Sequence, residues 1–485
     1  MKLPLKPLLD AATLLLQRNP ASLRVGLGLA RRVLPSRLRR QLITSHAAVT
    51  ETFARADELR MGQLNAPKLK LGPFVLGMDP PDERYAFEKQ ALSAALVAAP
   101  VLAARFARAD AEHVAQLLAA RGRAGALELG ATYAQSIYAR ALGHAFGVPA
   151  RGEPCPAFGP QQDDEPLSQY IKVLGGTIGS DHPAPFGLEG RALAVAPYFR
   201  EHLIAALAAH RTGRIQALLP RHELAPAPSA GETVLGQLLA THPFRDGDEG
   251  IVRNVAGLLC ASASFPYVWS SVLHELLQRP AHMRCFLQAV RDEDEPRVLA
   301  HVREALRFRP PFPMLVRFCP HHARLASSGA ELRSGERLAL FPASAMFDIE
   351  DAAAFDATRA ESSYFVFGGA PRECLGKDLI SSLFLPLFRG LALHLPEVFE
   401  ARPGRFRFDG PTLGRYTLEL PARSTYARDT HAPVLRPRSE PQAVYALEPG
   451  PELADILQPS AADDSALSSD GPLELRRSRL PEPVQ

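Results

Sequence analysis

The sequence predicts a mainly α-helical protein with small β-sheets, built as a single large domain. Of its 485 residues, 46% are hydrophobic, which is enough apolar material for a substantial core. Long central stretches repeat apolar residues at spacings of three and four and are rich in good helix formers, the pattern of amphipathic helices. Strand-like segments are few, short and clustered in the C-terminal half.

Charge and cysteine content narrow the class of protein. The 55 basic and 52 acidic side chains are mixed along the chain and leave a net charge of +3, which gives no field strong enough to predict nucleic-acid binding. The five cysteines form no C-x-x-C pair, so neither a disulfide framework nor a zinc site is predicted. A reducing cytoplasm is the simplest location.

Residues 1–39 form a basic, amphipathic N-terminal segment. Its first apolar run is interrupted by Asp10 and is too short to span a bilayer, so membrane contact is predicted to be peripheral at most. A first helix packed on the body, with its arginines in water, is the simpler interpretation. The main domain is predicted to cover residues 40–425.

The central patterns predict long helices over 84–121 and 132–148. Strands are expected at 314–319, within 323–341 and within 405–420, where Gly-bearing turns separate alternating or β-branched residues. The glycine cluster at 175–180 lacks the strand before it and the helix after it that a nucleotide-binding loop needs, so it is expected to be a loop between helices. Residues 430–485 are rich in Pro, Ser and Asp and are predicted to be a largely disordered tail.

The segment "FVFGGAPRECLGKDLI", residues 365–380, combines a glycine turn with one cysteine before an apolar helical pattern. Gly368 and Gly369 permit unusual backbone dihedral angles, and Cys374 lies at the predicted start of a helix, whose dipole favours an anion. These are the conditions that a thiolate ligand requires, although a lone cysteine at a helix start is more often a small core residue.

The spacing F-G-x-x-x-R-x-C-x-G, formed by Phe367, Gly368, Arg372, Cys374 and Gly376, resembles the haem-binding loop of the cytochrome P450 superfamily. The resemblance extends over about residues 40–425 and implies the P450 fold. It also implies a bound haem b (iron protoporphyrin IX), with Cys374 as the proximal iron ligand.

Upstream motifs stand in the order that this family requires. Glu304 and Arg307 resemble its E-x-x-R pair, and Arg359 in "FDATR" resembles the arginine that joins the pair in a buried network. Arg317 and Arg372 match the arginines that bind the two haem propionates, for which a guanidinium fork is well suited.

The family's long I helix is matched by residues 251–280, and here the chain departs from the usual pattern. Monooxygenases of this family carry an adjacent acid and alcohol at this point, and counting back sixteen residues from the final proline assigns Ser264 to the alcohol and Ala263 to the acid. Ala263 cannot relay a proton. Pro266 lacks an N–H group and leaves the carbonyl of Ser262 without its helical donor, so a kink is expected.

A second departure lies at residues 76–92, where bacterial members often carry H-x-x-x-R for a propionate. Glu83 and Phe87 occupy those two positions. Arg84 or Lys89, from a neighbouring turn of the helix, would then bind the propionate in their place. Both are equally well explained as solvated charges on a helix.

The resemblance implies an oxidoreductase, and three activities remain open. The first is a monooxygenase acting on an apolar small molecule, with Ser264 in proton transfer and electrons from separate proteins such as a ferredoxin and its reductase. The second is an enzyme that uses a peroxide or a fatty-acid hydroperoxide, for which the missing acid is tolerable. The third is a non-catalytic haem-binding protein. The predicted substrate pocket consists of apolar residues: Phe74, Val75, Leu76, Leu258, Ala261, Phe265, Phe312 and Leu315.

Overall fold

Helices make up most of the described chain, and three small sheets lie beside them. The computed structural model describes residues 41–61, 69–120, 126–153, 155–158, 165–178, 188–409 and 412–420, together with 22, 26 and 27. The predicted tail, 430–485, lies outside the described residues, as does all but those three positions of the N-terminal segment, 1–39. The described residues all belong to one compact unit.

The first eight helices are α1 (His46–Ala54), α2 (Glu83–Ala95), α3 (Ala99–Ala120), α4 (Ser136–Phe146), α5 (Pro166–Ile178), α6 (Leu188–Arg211), α7 (Ile215–Leu218) and α8 (Val234–Thr241). The others are α9 (Asp248–Ala261), α10 (Phe265–Leu277), α11 (Pro280–Arg291), α12 (Glu295–Phe308), α13 (Pro342–Ala345), α14 (Lys377–Ser381) and α15 (Phe384–His394). A π-helical turn, Gly130–Gln135, runs directly into α4, and a 3₁₀ turn, Ser262–Ser264, separates α9 from α10.

In the described part of the chain, eight strands form the sheets: β1 (Leu42–Ile43), β2 (Ala126–Glu128), β3 (Leu315–Cys319), β4 (Ala323–Arg324), β5 (Glu331–Leu332), β6 (Glu336–Leu340), β7 (Arg405–Asp409) and β8 (Thr412–Glu419). Their orders are β1-β6-β3, β2-β8-β7 and β4-β5, and β1 and β6 pair in parallel while the remaining pairs are antiparallel. The strands expected at 314–319, 323–341 and 405–420 are present. The sequence did not indicate β1 and β2, which are only two and three residues long.

Proline and polar caps explain where several helices begin. Asp82 and Asp294 accept backbone N–H groups in the first turns of α2 and α12. Pro266 and Pro280 lie in the first turns of α10 and α11, where a missing N–H group is harmless. The single helix expected over 84–121 is present as two helices, because the chain turns at residues 96–98 between α2 and α3.

The expectation of a loop at the glycine cluster is wrong for its described part, because Gly175 lies inside α5. A side chain at this position would overlap the Cys260 carbonyl and the Ala263 methyl group across the helix crossing. The glycine thus allows α5 to pack closely on α9 and the turn that follows it.

The core is centred on the pair α9–α10. Trp269, which is fully buried, stacks on Phe388 of α15 at a centroid distance of 5.2 Å and contacts Tyr133 at 5.6 Å. At the far end of α10, the buried carboxylate of Glu275 pairs with Arg279 and with Arg309, each at 2.8 Å. The C-terminal end of the pair is therefore held by charge-assisted hydrogen bonds.

Among the described residues, the segment Asp248–Leu277 is long and apolar enough to cross a bilayer, and α2 with α3 reaches the same limit only if the two are counted as one bent span. Within the most apolar window of Asp248–Leu277, 78% is buried inside the protein. The core helices of proteins that do not cross membranes have this property too.

Candidate functional site

The turn before α14 folds the cysteine back onto the residues that precede it. The N–H of Cys374 donates to the Phe367 carbonyl at 2.9 Å, and the N–H of Arg372 donates to the Gly369 carbonyl at 3.0 Å. Gly368 has φ of 79°, a left-handed conformation that side chains disfavour. These contacts place Cys374 at the tip of a tight turn.

Cys374 is exposed, and none of the five cysteines is in a disulfide. Enough protein surrounds its sulfur for desolvation to be the largest influence, and this raises the pKa of the thiol, whereas a hydrogen bond from Gly376 lowers it. The helix begins at Lys377 rather than at Cys374. The sulfur of Cys374 is therefore stabilised by the nearest backbone N–H group, that of Gly376, and less by the helix dipole than the sequence predicts.

Gly376 completes the turn as the cap of α14. A Cβ atom built on it would lie 3.9 Å from the Cys374 sulfur, so the glycine leaves open the space beside the thiol. No cluster of three His, Cys, Asp or Glu side chains among the described residues could hold a metal ion.

Arg372 is nearly buried and already holds a carboxylate. Its Nη1 donates to Asp79 Oδ1 at 2.6 Å, its Nη2 donates to the Met78 carbonyl, and its guanidinium lies 5.2 Å from the Tyr85 ring centroid. The sequence did not reveal Asp79 as its partner, since the two are 293 residues apart. A contact between Arg372 and a haem propionate stays a prediction.

Arg84 and Lys89 on α2, the two side chains that would replace the H-x-x-x-R motif toward a propionate, differ in their surroundings. Lys89 donates to the Pro371 carbonyl within the cysteine turn. Arg84 pairs with Asp82 at the exposed start of the helix, with a closest distance of 3.2 Å. Lys89 is thus the one that contacts the cysteine turn.

Arg317, the other arginine assigned to a propionate, is buried in β3. Its Nη1 donates to the carbonyl of Val316 at 2.9 Å, and its guanidinium lies 5.6 Å from the Phe53 ring centroid. Its role toward a propionate stays a prediction as well.

The structure brings Glu304, Arg307 and Arg359 together. Arg307 binds both carboxylate oxygens of Glu304, at 2.6 and 2.9 Å, and both side chains are fully buried. Arg359 approaches the same carboxylate at 3.7 Å, and Tyr364 donates to it at 3.0 Å. Arg307 also donates to the Ala352 carbonyl at 2.8 Å, so the pair anchors the segment that leads to the cysteine turn.

The long helix is interrupted where Pro266 predicts an interruption. Ser262–Ser264 form a 3₁₀ turn in which the Phe265 N–H donates to the Ser262 carbonyl. The same carbonyl accepts a hydrogen bond from the hydroxyl of Tyr138 on α4 at 3.0 Å. No sequence signal indicated Tyr138, because its partner lies 124 residues away.

Ala263 lies in a small surface cleft beside this break. Its lining residues come mainly from α4, α5 and the break: Gln135, Tyr138, Ala139, Ser168, Ile171, Lys172, Ala263, Pro266 and Leu413. None of these is a carboxylate. Ser264 is partly exposed at the other end of the same turn.

The predicted pocket residues differ in their exposure to solvent. Ala261 is exposed, Phe312 is 47% exposed, and Leu76 and Leu315 are partly buried. The other four are core residues: Phe74, Val75, Leu258 and Phe265. Phe265, for example, stacks on Tyr138 at a centroid distance of 4.4 Å, and its assignment to a substrate pocket stays a prediction.

A buried polar cluster joins α2, α9 and the loop before α2. Asn254 accepts the N–H of Val75 at 3.0 Å and donates to Glu88 at 2.9 Å, while Arg253 donates to Glu88 at 2.8 Å and to the Pro73 carbonyl at 2.7 Å. From the sequence, Asn254 would be a surface or channel residue, but it is 1% exposed. Its partners are distant in the sequence, which is why the pattern did not indicate them.

No model of a known protein family and no curated protein sequence matches this chain. Solved structures do resemble it. The open form of cytochrome P450 EryK from S. erythraea has a TM-score of 0.61 and 18% identity, covering 82% of this chain and 95% of that one. CYP109B1 from Bacillus subtilis has a TM-score of 0.59 and 14% identity, covering 81% and 98%.

P450BioI, solved with an acyl carrier protein ligated to hexadec-9Z-enoic acid, has a TM-score of 0.59 and 19% identity, covering 84% of this chain and all of that one. Identities this low establish the fold and not the activity. The likeness nevertheless spans nearly the whole of each known structure, and it confirms the fold expected from the cysteine turn. This chain has the cytochrome P450 fold.

Proposed function

We propose that this protein is a haem-thiolate monooxygenase, which inserts one oxygen atom from O2 into an apolar small molecule. The observation that carries the proposal is an accessible, unpaired Cys374 at the tip of a glycine turn in the P450 fold. The buried Glu304–Arg307 pair fixes the segment that leads to this turn. A thiolate-ligated haem b would supply the oxidising chemistry.

The residues of the cysteine turn are of the types that a haem b would need. Cys374 would be the iron ligand, while Phe367, Gly368 and Gly376 would frame the turn around it. Arg372 would bind a propionate with the guanidinium that pairs with the carboxylate of Asp79 in this structure. Arg317 would supply the second guanidinium.

The turn Ser262–Ser264, between α9 and α10, is the proposed place of proton delivery. Reduction of O2 consumes protons, and a positioned hydroxyl with ordered water can carry them to the reacting centre. Ser264 is the partly exposed hydroxyl at the break, and Ala263 supplies none. Ser264 is therefore the proposed catalytic residue, acting as a proton carrier.

The proposed partners follow from this chemistry. Electrons would come from separate proteins such as a ferredoxin and its reductase, and the cytoplasm is the proposed location. The mixed surface charge offers no basis for a nucleic-acid partner. Long-chain fatty acids are a suitable first class of substrate, since they are apolar and since one structural neighbour was solved with a fatty-acyl carrier protein.

A second candidate function is the use of a peroxide or a fatty-acid hydroperoxide as oxidant. The cleft around Ala263 contains no carboxylate among its lining residues, so no side chain there replaces the missing acid. A substrate that already contains the O–O bond needs neither external electrons nor that acid. A purely haem-binding role is the weaker alternative, because Cys374, Arg372 and Arg317 are all retained.

One experiment separates these activities. The purified holoprotein is given a panel of fatty acids with a surrogate ferredoxin, its reductase and NADPH, and in parallel fatty-acid hydroperoxides alone. Product that depends on NADPH is expected. Rapid turnover of hydroperoxides without NADPH, and no reductase-driven product, would show that the second candidate is correct.

The ligand assignment has its own test. Cys374→Ala is expected to abolish the thiolate spectrum of the ferrous CO complex, because the sulfur is then absent. Cys285→Ala is the matched control, since Cys285 is also exposed and lies on α11, outside the turn. A thiolate spectrum that survives Cys374→Ala would refute the assignment, and a holoprotein that turns over neither class of substrate would favour the haem-binding role.

A further inference from the structure

The break between α9 and α10 leaves one carbonyl without its usual partner. In a continuous helix, the N–H of residue 266 would donate to the Ser262 carbonyl, but Pro266 has no N–H. The Phe265 N–H reaches this carbonyl through the 3₁₀ turn, and the oxygen can accept a second hydrogen bond. The site is partly buried, so a second donor from elsewhere in the fold adds to the hydrogen bond from Phe265.

Tyr138 supplies that donor from α4. Its hydroxyl lies 3.0 Å from the Ser262 oxygen, and the residue is 1% exposed. Its ring stacks on Phe265 at a centroid distance of 4.4 Å, with the ring planes 20° apart. Burial raises the pKa of the phenol, so the hydroxyl keeps its proton and remains a donor at neutral pH.

The two contacts of Tyr138 hold the two sides of the break. The hydroxyl holds Ser262, which begins the 3₁₀ turn, and the ring holds Phe265, which begins α10. Ser264 lies between them and has little freedom to move while both are held. We propose that Tyr138 is a positioning residue that fixes the helix break and thereby places the Ser264 hydroxyl for proton transfer.

This inference rests on the proposed function for the role of Ser264, but the hydrogen bond itself can be tested without any reaction. Pro266→Ala restores an N–H group that can donate to the Ser262 carbonyl and should make the Tyr138 hydroxyl partly redundant. Tyr138→Phe, Pro266→Ala and the double variant form a double-mutant cycle, read by urea unfolding. The cost of Tyr138→Phe is expected to fall by at least about half in the Pro266→Ala background.

Tyr133→Phe is the matched control. Tyr133 is also fully buried, and its hydroxyl donates to a main-chain carbonyl, that of Leu387, at 2.6 Å, away from the break. Tyr138→Phe and Tyr133→Phe should each lower the free energy of unfolding by a similar amount. Only Tyr138→Phe should change the ferric haem spectrum and lower kcat, by about threefold to tenfold, with KM nearly unchanged.

Two results would overturn the inference. One is strict additivity in the unfolding cycle, which would mean that the Tyr138 hydroxyl and residue 266 do not act on the same carbonyl. The other is an equal change of spectrum and kcat in Tyr133→Phe, which would mean a general effect of losing a buried hydroxyl. A protein that binds no haem would defeat the proposed function, while the unfolding cycle would still decide whether Tyr138 holds the break.

Discussion

Glu304 and Arg307 illustrate how much a single buried charge pair determines. Neither side chain is exposed, and the carboxylate also receives the hydroxyl of Tyr364 and the N–H of Asp356. Every acceptor on Glu304 is thus used, which is the condition under which burying two charges is tolerated. Removing one partner leaves the other charged and desolvated.

We therefore expect Glu304→Ala to lower the free energy of unfolding by about 3–5 kcal/mol, because Arg307 is left buried without its carboxylate. Urea unfolding at neutral pH measures the loss. Glu361→Ala is the control, since Glu361 pairs with Lys377 at 2.7 Å but its side chain is 60% exposed, and a change of at most about 1 kcal/mol is expected. Similar losses in the two variants would contradict this account.

At the residue scale, the resemblance to the P450 motifs predicted the members of this network but not their partners. Glu304 and Arg307 are one helical turn apart, so a motif can reveal them. Asp79, which pairs with Arg372, and Tyr138, which holds Ser262, come from remote parts of the chain. Contacts of this kind follow from tertiary packing, and one sequence carries no periodic signal for them.

At the scale of elements, the cluster of Glu88, Arg253 and Asn254 joins α9 to the loop that precedes α2. The Val75 N–H has its acceptor on Asn254, and the Pro73 carbonyl has its donor on Arg253. The loop has little regular structure of its own, so these side chains replace the backbone partners that a strand or helix would provide.

Asn254→Ala is expected to release this loop, because the Val75 N–H then has no buried acceptor. Hydrogen exchange of the peptide that covers residues 73–78 should become faster by about tenfold, while exchange in α12 stays unchanged. Arg84→Ala, which removes an exposed ion pair on α2, should leave the loop protected. Equal exchange in wild-type protein and in Asn254→Ala would show that the cluster does not hold the loop.

The sequence predicted the type of element better than its boundaries. The apolar period over 84–121 is continuous, yet the chain turns between α2 and α3. The glycine cluster at 175–180 is expected to be a loop because it lacks the strand and the helix that flank a nucleotide-binding loop. In the structure Gly175 lies inside α5, where close packing on Cys260 and Ala263 leaves no room for a side chain. At this position packing determines which residue the helix can carry.

At the scale of the whole molecule, we expect buried and half-buried histidines to make the protein sensitive to acid. Desolvation lowers the pKa of six of them: His144, His202, His210, His274, His301 and His394. For His274 the pKa is lowered to about 4, mainly by desolvation and then by the charge of Arg309. The folded protein therefore binds fewer protons than the unfolded chain between about pH 6.5 and 4.

Because the folded protein binds fewer of these protons, its free energy of unfolding falls as the pH is lowered. Stability contributed by the neutral histidines is complete above about pH 6.5 and is lost as pH falls toward their folded pKa values. The free energy of unfolding should thus decrease between pH 7 and pH 5, with about 2 kcal/mol of the decrease due to His274.

Urea unfolding of the holoprotein at pH 7 and pH 5 measures this effect. His274→Gln should reduce the pH-dependent loss, whereas His321→Gln, at an exposed position, should leave it unchanged. A loss that is the same in His274→Gln as in the wild-type protein would show that this histidine does not contribute.

The central helix pair is fastened at its two ends and interrupted in its middle. Arg253 and Glu88 fix the start of α9, Glu275 and Arg309 fix the end of α10, and the turn Ser262–Ser264 between them contains no fully buried residue. Ser264 is partly exposed, so its substitution is expected to have little effect on core packing, whereas Ala263 packs closely on α5. The fold can therefore exchange the proposed proton carrier, Ser264, at small thermodynamic cost, which makes this position the place where a change of oxidant could evolve without loss of structure.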